Sequence, residues 1–231
     1  MNPTPSSIAR HVTPPGDETE LMARAQQWAG STLDSLAQAM SVYLPEGFAG
    51  HKGRVGELLE VALGADAGSA PQPDFQALGI ELKTLPVNTR GAPLESTFVT
   101  SIPLLNIHQE TWATSTVWRK LQRVLWIPII TPDGASLHER IIGSPMLWSP
   151  TAEQAALLQQ DWQELVDKIC LGELESIHAR MGQVLQVRPK AANSKALCWA
   201  INHDGERIQT LPRGFYLRAG FTQEILNAHF A

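Results

Sequence analysis

The chain has 231 residues, of which 43% are hydrophobic and 18% charged, with a formal net charge of -5 and two cysteines. That length supports one large domain or two closely joined lobes around a substantial core, while two cysteines without a close-spaced metal motif exclude a disulfide scaffold and default to reduced thiols. No apolar run approaches the roughly 20 residues of a spanning helix, and the Pro/Ser/Thr-rich stretch from Met1 to Gly16 has no signal-peptide core, so a flexible segment over 1–16 on a cytoplasmic protein is expected.

Helical spacing of Leu21, Ala25, Trp28, Leu33, Leu36, Ala37 and Met40 predicts helices over 18–29 and 32–42. The next helix spans Lys52 to Leu63, with Val55, Leu58, Leu59, Ala62 and Leu63 on its buried face and Glu60 at the border of that stripe. A loop from Gly64 to Pro73 leads to Asp74.

The segment Asp74-Phe75-Gln76-Ala77-Leu78-Gly79-Ile80-Glu81-Leu82-Lys83 carries the strongest chemical signal. In an extended strand side chains alternate, so Glu81 and Lys83 share one face while Ile80 and Leu82 point to the core. A bend at Leu78-Gly79 lets Asp74 fold back beside them, glycine relieving the backbone. Two carboxylates and an ammonium form a hard-oxygen site suited to magnesium or manganese rather than zinc. Each residue alone reads as an ordinary surface charge; their combination, with Glu60 upstream, points to a metal-dependent phosphodiesterase.

Farther on, strands are expected near 80–87, 96–102, 124–131 and 139–143, with a helix over 111–122. A helix over 151–169 opens at Ser149-Pro150-Thr151; strands near 183–188, 197–201 and 215–218 and a last helix capped by Thr222 complete the chain. The expected fold class is α/β, a mixed sheet flanked by helices, whose two halves form the arms of a cleft. Net acidity alone argues against a nucleic-acid partner. Its distribution changes that reading: from Arg180 onward seven basic residues (Arg180, Arg188, Lys190, Lys195, Arg207, Arg213, Arg218) face three acidic ones (Asp204, Glu206, Glu224). Much of the acidity lies between Glu153 and Glu175, on a helix expected to face solvent.

The order Glu60, Asp74, Glu81-x-Lys83 resembles the active site of restriction-endonuclease-like nucleases, which implies a catalytic arm over 17–150 and a recognition arm over 151–231 forming a DNA cleft. Longer strings resemble the MutH family of methyl-directed mismatch-repair endonucleases over nearly the whole chain: Pro93 to Val99, Lys120 to Pro128, Gly143 to Pro150, Arg188 to Asn193 and Leu211 to Leu217. The resemblance implies Asp74 and Glu81 as metal ligands, Glu60 as a further ligand or water-positioning acid, and Lys83 as the group that orients water or stabilises the phosphate. It implies Lys120 as support for the scissile phosphate, Arg188 and Pro189 on the bases of a GATC site, and Tyr216 against the adenine whose methylation is sensed. Lys190 and Lys52 are implied phosphate contacts and Phe98 an aromatic DNA contact. Implied partners are Mg2+, with Mn2+ as substitute, double-stranded DNA, and MutL activated by MutS and ATP, acting on a monomer. A stand-alone restriction enzyme, a silent DNA-binding module and a small-molecule metal hydrolase remain alternatives.

Overall fold

A computed structural model describes residues 12–45, 53–68, 70–190 and 195–230. Along the chain the elements are α1 (Glu18–Trp28), α2 (Leu33–Met40), α3 (Arg54–Leu63), β1 (Glu81–Val87), β2 (Thr97–Ser101), α4 (Thr116–Leu121), β3 (Val124–Ile130), β4 (Ile141–Ile142), β5 (Met146–Trp148), α5 (Ala152–Cys170), β6 (Leu185–Pro189), β7 (Cys198–Ile201), β8 (Arg207–Thr210), β9 (Arg213–Leu217) and α6 (Ala219–Phe230). The expected α/β class of mixed sheets with helices is the one observed. Two units share the chain discontinuously: one takes the chain to Leu94 plus Arg123–Trp148, the other Glu95–Gln122 plus Ser149 onward.

In the first unit, α1 to α3 pack beside a sheet in which β1 runs parallel to β3, with β4 and β5 antiparallel on β3. Asp17 and Thr32 cap α1 and α2 by accepting backbone N–H bonds from Glu20 and Ser35. The five apolar residues expected on the inner face of α3 are its buried set, and they join Leu21, Leu33, Leu36, Phe75, Ile80 and Leu82 in one core. Residues 12–16 carry definite contacts: Val12 packs against this core, and Arg24 Nη1 donates to the Thr13 carbonyl at 2.7 Å.

β3 is buried almost throughout yet contains Pro128, which has no N–H for a ladder. The register explains its place. β5 pairs with residues 124–126 of β3 and β4 with 129–130, so Pro128 falls in the gap between partners, where its carbonyl accepts from Gly143 N at 2.7 Å. The sequence reading missed β5, a three-residue strand too short to show alternation.

In the second unit β2, β9 and β6 form an antiparallel sheet, β7 and β8 a separate hairpin, and α5 lies against β6. The β8 strand was also not anticipated; Arg207–Thr210 has polar neighbours and little apolar signature. The helix expected over 111–122 is shorter, since Ile107–Gln109 and Trp112–Thr114 form single 3-10 turns before Ser115 caps α4.

Two expectations are corrected. Thr222 does not cap the last helix, which begins at Ala219; Thr222 lies buried within it and its hydroxyl donates to the Ala219 carbonyl. The acidic helix α5 is not solvated on all sides: Leu158, Asp161, Trp162, Leu165, Val166 and Ile169 are buried. Asp161, 2% exposed, accepts from the backbone N–H groups of Gln183, Val184 and Leu185 at 2.7–2.9 Å, pinning the start of β6. Arg218 complements it by donating to the carbonyls of Ala179, Met181 and Gly182.

Candidate active site and nucleic-acid interface

The segment from Asp74 to Lys83 is a tight hairpin. Phe75 and Ile80 form an antiparallel bridge with reciprocal backbone bonds of 2.9 and 3.3 Å, and Gly79 takes φ 65° to close the turn. One step outward from this bridge, Asp74 stands opposite Glu81. The Asp74 Oδ2 accepts from Leu82 N at 2.8 Å, which fixes its carboxylate against the strand between Glu81 and Lys83. Lys83 Nζ donates to Glu81 Oε1 at 2.6 Å, joining two residues that alternation places on one face. Exposures of 9% for Asp74, 2% for Glu81 and 9% for Lys83 set this group apart from surface charges. β1 and β3 being parallel explains the depth, because strands of a parallel pair are covered on both faces.

Glu60 approaches from the last turn of α3. Burial raises its carboxyl from the ordinary value to about 7, and repulsion by Asp74, Glu81 and Glu57 adds to the rise while Lys83 offsets part of it. The hairpin and α3 therefore bring Glu60, Asp74, Glu81 and Lys83 into one electrostatic group. Among the described residues no three His, Cys, Asp or Glu side chains already converge as a metal cage. The donor chemistry nevertheless fits a hard cation: the acids are all carboxylates, and their mutual repulsion at Glu60 is the charge that a divalent ion relieves.

Lys120 lies half-buried on the last turn of α4, in the second unit, beside Arg119. Lys52 lies outside the described residues.

The sheet of the second unit separates its two faces cleanly. Val99, Leu185, Val187, Phe215 and Leu217 are buried. The other face carries Phe98, Tyr216 and Gln186, which are direct cross-strand partners, followed along β6 by Arg188 and then Lys190. Phe98 and Tyr216 stack edge to face with centroids 5.3 Å apart, Lys190 Nζ sits 4.0 Å from the Phe98 centroid, and the Arg188 guanidinium lies 5.8 Å from the Tyr216 ring. Four sequence-selected residues thus share one cationic and aromatic platform, with half-buried rings and exposed basic side chains. Pro189, exposed at the end of edge strand β6, alternates away from them.

Sequence reasoning missed three members of this face. Ser96 Oγ accepts from Gln186 Nε2 at 2.9 Å and from Arg188 Nη1 at 3.3 Å. Gly214 leaves room for both rings, since a Cβ there would stand 2.9 Å from Phe98 Cε2, 3.1 Å from the Thr100 carbonyl oxygen and 3.3 Å from Tyr216 Cε2. Alternation counted back from Phe98, Tyr216 and Arg188 selects Ser96, Gly214 and Gln186, so the signal was present in the spacing.

Comparison with known proteins gives the family. Residues 63–161 match the family described as DNA mismatch repair enzyme MutH. The DNA mismatch repair protein MutH of Escherichia coli O6:K15:H31 (strain 536 / UPEC) is 53% identical over 219 residues, covering 95% of this chain and 96% of that protein. Its counterparts in Escherichia coli strain K12 and O9:H4 (strain HS) are each 52% identical over the same coverage. On near full-length similarity at this level, the chain belongs to the MutH family of DNA mismatch repair enzymes.

Proposed function

We propose that this chain is a metal-dependent DNA endonuclease that nicks the unmethylated strand at hemimethylated GATC sites in methyl-directed mismatch repair, as a cytoplasmic monomer stimulated by MutL after activation by MutS and ATP. The observation that carries the reading is the buried Asp74, Glu81 and Lys83 group with Glu60 beside it. In this reading the first unit is the catalytic arm, and the β2-β9-β6 face of the second unit reads the DNA.

Asp74 and Glu81, with Glu60, would hold Mg2+ or Mn2+. A bound cation would supply charge neutralisation at the phosphate and an acidified water. The protein residues act around it. Asp74 is held rigid by the Leu82 amide, so its carboxylate needs no reordering when substrate arrives. Lys83, anchored by Glu81, presents a fixed positive group for orienting the attacking water or stabilising the pentacoordinate phosphate. Glu60, whose carboxyl ionises near neutrality when no cation is bound, is suited to accepting a hydrogen bond from that water. Lys120 supports the scissile phosphate.

For recognition, Arg188 offers a forked donor to guanine and Lys190 an ammonium to phosphate. Pro189 stiffens the strand end between them. Tyr216 offers a rigid ring that accommodates an unmodified adenine edge and clashes with an added methyl group. Phe98 supplies an aromatic contact and Lys52 a further phosphate contact.

The test is strand-resolved cleavage of unmethylated, hemimethylated and fully methylated GATC duplexes in magnesium, with and without MutL and ATP. Nicks confined to unmethylated strands and enhanced by MutL support the proposal. Double-strand cutting independent of MutL favours a restriction enzyme, and no cleavage under any condition favours a silent binding module.

A further inference from the structure

The basic side chain at the edge of the recognition face is not left to wander. Arginine on an exposed strand end has many rotamers of similar energy, and fixing one of them on a base costs side-chain entropy. Here Arg188 meets two restraints before any ligand arrives: its Nη1 donates to Ser96 Oγ at 3.3 Å, and its guanidinium lies 5.8 Å from the Tyr216 ring. Ser96 is itself held. Gln186, 5% exposed and paired across the sheet with Tyr216, donates its Nε2 to the same hydroxyl oxygen at 2.9 Å. A buried amide therefore fixes a hydroxyl, and the hydroxyl fixes a guanidinium on an adjacent open surface. The hydroxyl oxygen has two lone pairs, so it can accept both bonds.

We infer that Ser96 is a positioning residue for sequence discrimination: with Gln186 behind it, its hydroxyl pre-orients Arg188 for a bidentate contact with a guanine edge. This rests on the reading of Arg188 as a base contact. The guanidinium has five donors in a planar fork. One Nη1 hydrogen engaged by Ser96 fixes the plane and leaves the remaining edge to meet the O6 and N7 acceptors of guanine. Pre-orientation favours the matched base selectively, because only a guanine returns both bonds in that fixed geometry; a phosphate or a wrong base accepts the guanidinium equally well in other rotamers.

The experiment compares Ser96→Ala, Ser96→Thr, Arg188→Ala and the double variant Ser96→Ala/Arg188→Ala. The readout is the ratio of cleavage rates on a GATC duplex and on duplexes with the guanine replaced, with Tm recorded for each protein. Ser96→Ala is expected to lower that ratio about tenfold, within the range that one bidentate base contact supplies, with a lowered Tm because the buried Gln186 amide loses its acceptor. Ser96→Thr, which keeps the hydroxyl and suits a strand, is expected to hold the ratio near wild type. In the Arg188→Ala background the Ser96 change is expected to add nothing. The inference is overturned if Ser96→Ala keeps the wild-type ratio, if it slows all duplexes alike, or if its effect persists without Arg188. A wild-type protein that does not prefer the guanine refutes the reading of Arg188 and the inference with it, whereas a selective wild type with an equally selective Ser96→Ala refutes the inference alone.

Discussion

Replacing Asp161 by alanine removes the acceptor for three successive backbone N–H groups at the start of β6. Gln183 is exposed and its amide can turn to water, but Val184 and Leu185 are buried, and their N–H groups lose their partner without solvent to replace it. A buried donor left unsatisfied costs about 1–3 kcal/mol, so two of them, with the lost carboxylate bond at Gln183, give a destabilisation of about 3–5 kcal/mol. Against the roughly 5–15 kcal/mol that holds a typical domain together, this is a large fraction. Asp161→Asn keeps one oxygen for one or two of the amides but turns an NH2 donor toward the rest, and it is expected to fall between wild type and alanine. Urea unfolding followed by tryptophan fluorescence measures it, since Trp162 is the buried neighbour of Asp161 on α5. A midpoint change equivalent to less than about 1 kcal/mol for Asp161→Ala would refute the reasoning, because it would mean that the amides find other partners at little cost. As β6 carries Arg188, duplex binding by the folded variant is expected to weaken as well.

Three further outcomes follow from the two sites. Asp74→Ala is expected to abolish cleavage while sparing duplex binding in gel-shift titrations; cutting at the wild-type rate would show that the metal assignment is wrong. The Glu60 carboxyl is raised to about 7, so the stability tied to its protonated form is fully present below its ordinary value of 4.5 and is lost as pH rises toward about 7. Without divalent cations Glu60→Gln should flatten that part of the stability profile by about 1 kcal/mol, after discounting a partly exposed carboxylate for solvent screening; urea midpoints at pH 5 and 7.5 with an unchanged slope would contradict it. Gly214→Ala should displace the Phe98 and Tyr216 rings, costing about 1–3 kcal/mol as overpacking does and weakening duplex binding, and wild-type values for both melting and binding would show that the face accommodates a methyl group.

The acidic group proposed for catalysis was legible because its geometry is local. Asp74, Glu81 and Lys83 lie within one hairpin, and strand alternation together with a glycine turn relates them without any long-range information. The depth of the group was not legible, since coverage of β1 depends on its pairing with β3, more than forty positions away in sequence. The β2-β9-β6 face shows the same division. Residue types marked Arg188, Lys190, Phe98 and Tyr216, but Ser96 and Gln186 gain their roles only when β2 and β6 are set on either side of β9. Asp161 was misread for a related reason: on a helix with many acids, one carboxylate that turns inward to cap a strand has the same letter as those that face water.

The Phe75–Ile80 bridge also governs which changes of chain length the facing carboxylates tolerate. Four residues close the turn, Asp66 ties itself to Gln76 N at 2.9 Å, and Asp74 stands opposite Glu81 only in this register. A single insertion between Phe75 and Ile80 taken up as a one-residue slip of this pairing would turn a carboxylate over to the opposite side of the ribbon. The exposed stretch from Ala70 to Gln72 has no such arithmetic to keep. Insertions and deletions are therefore expected at the approach of the hairpin, and the turn itself behaves as a ruler for the facing carboxylates.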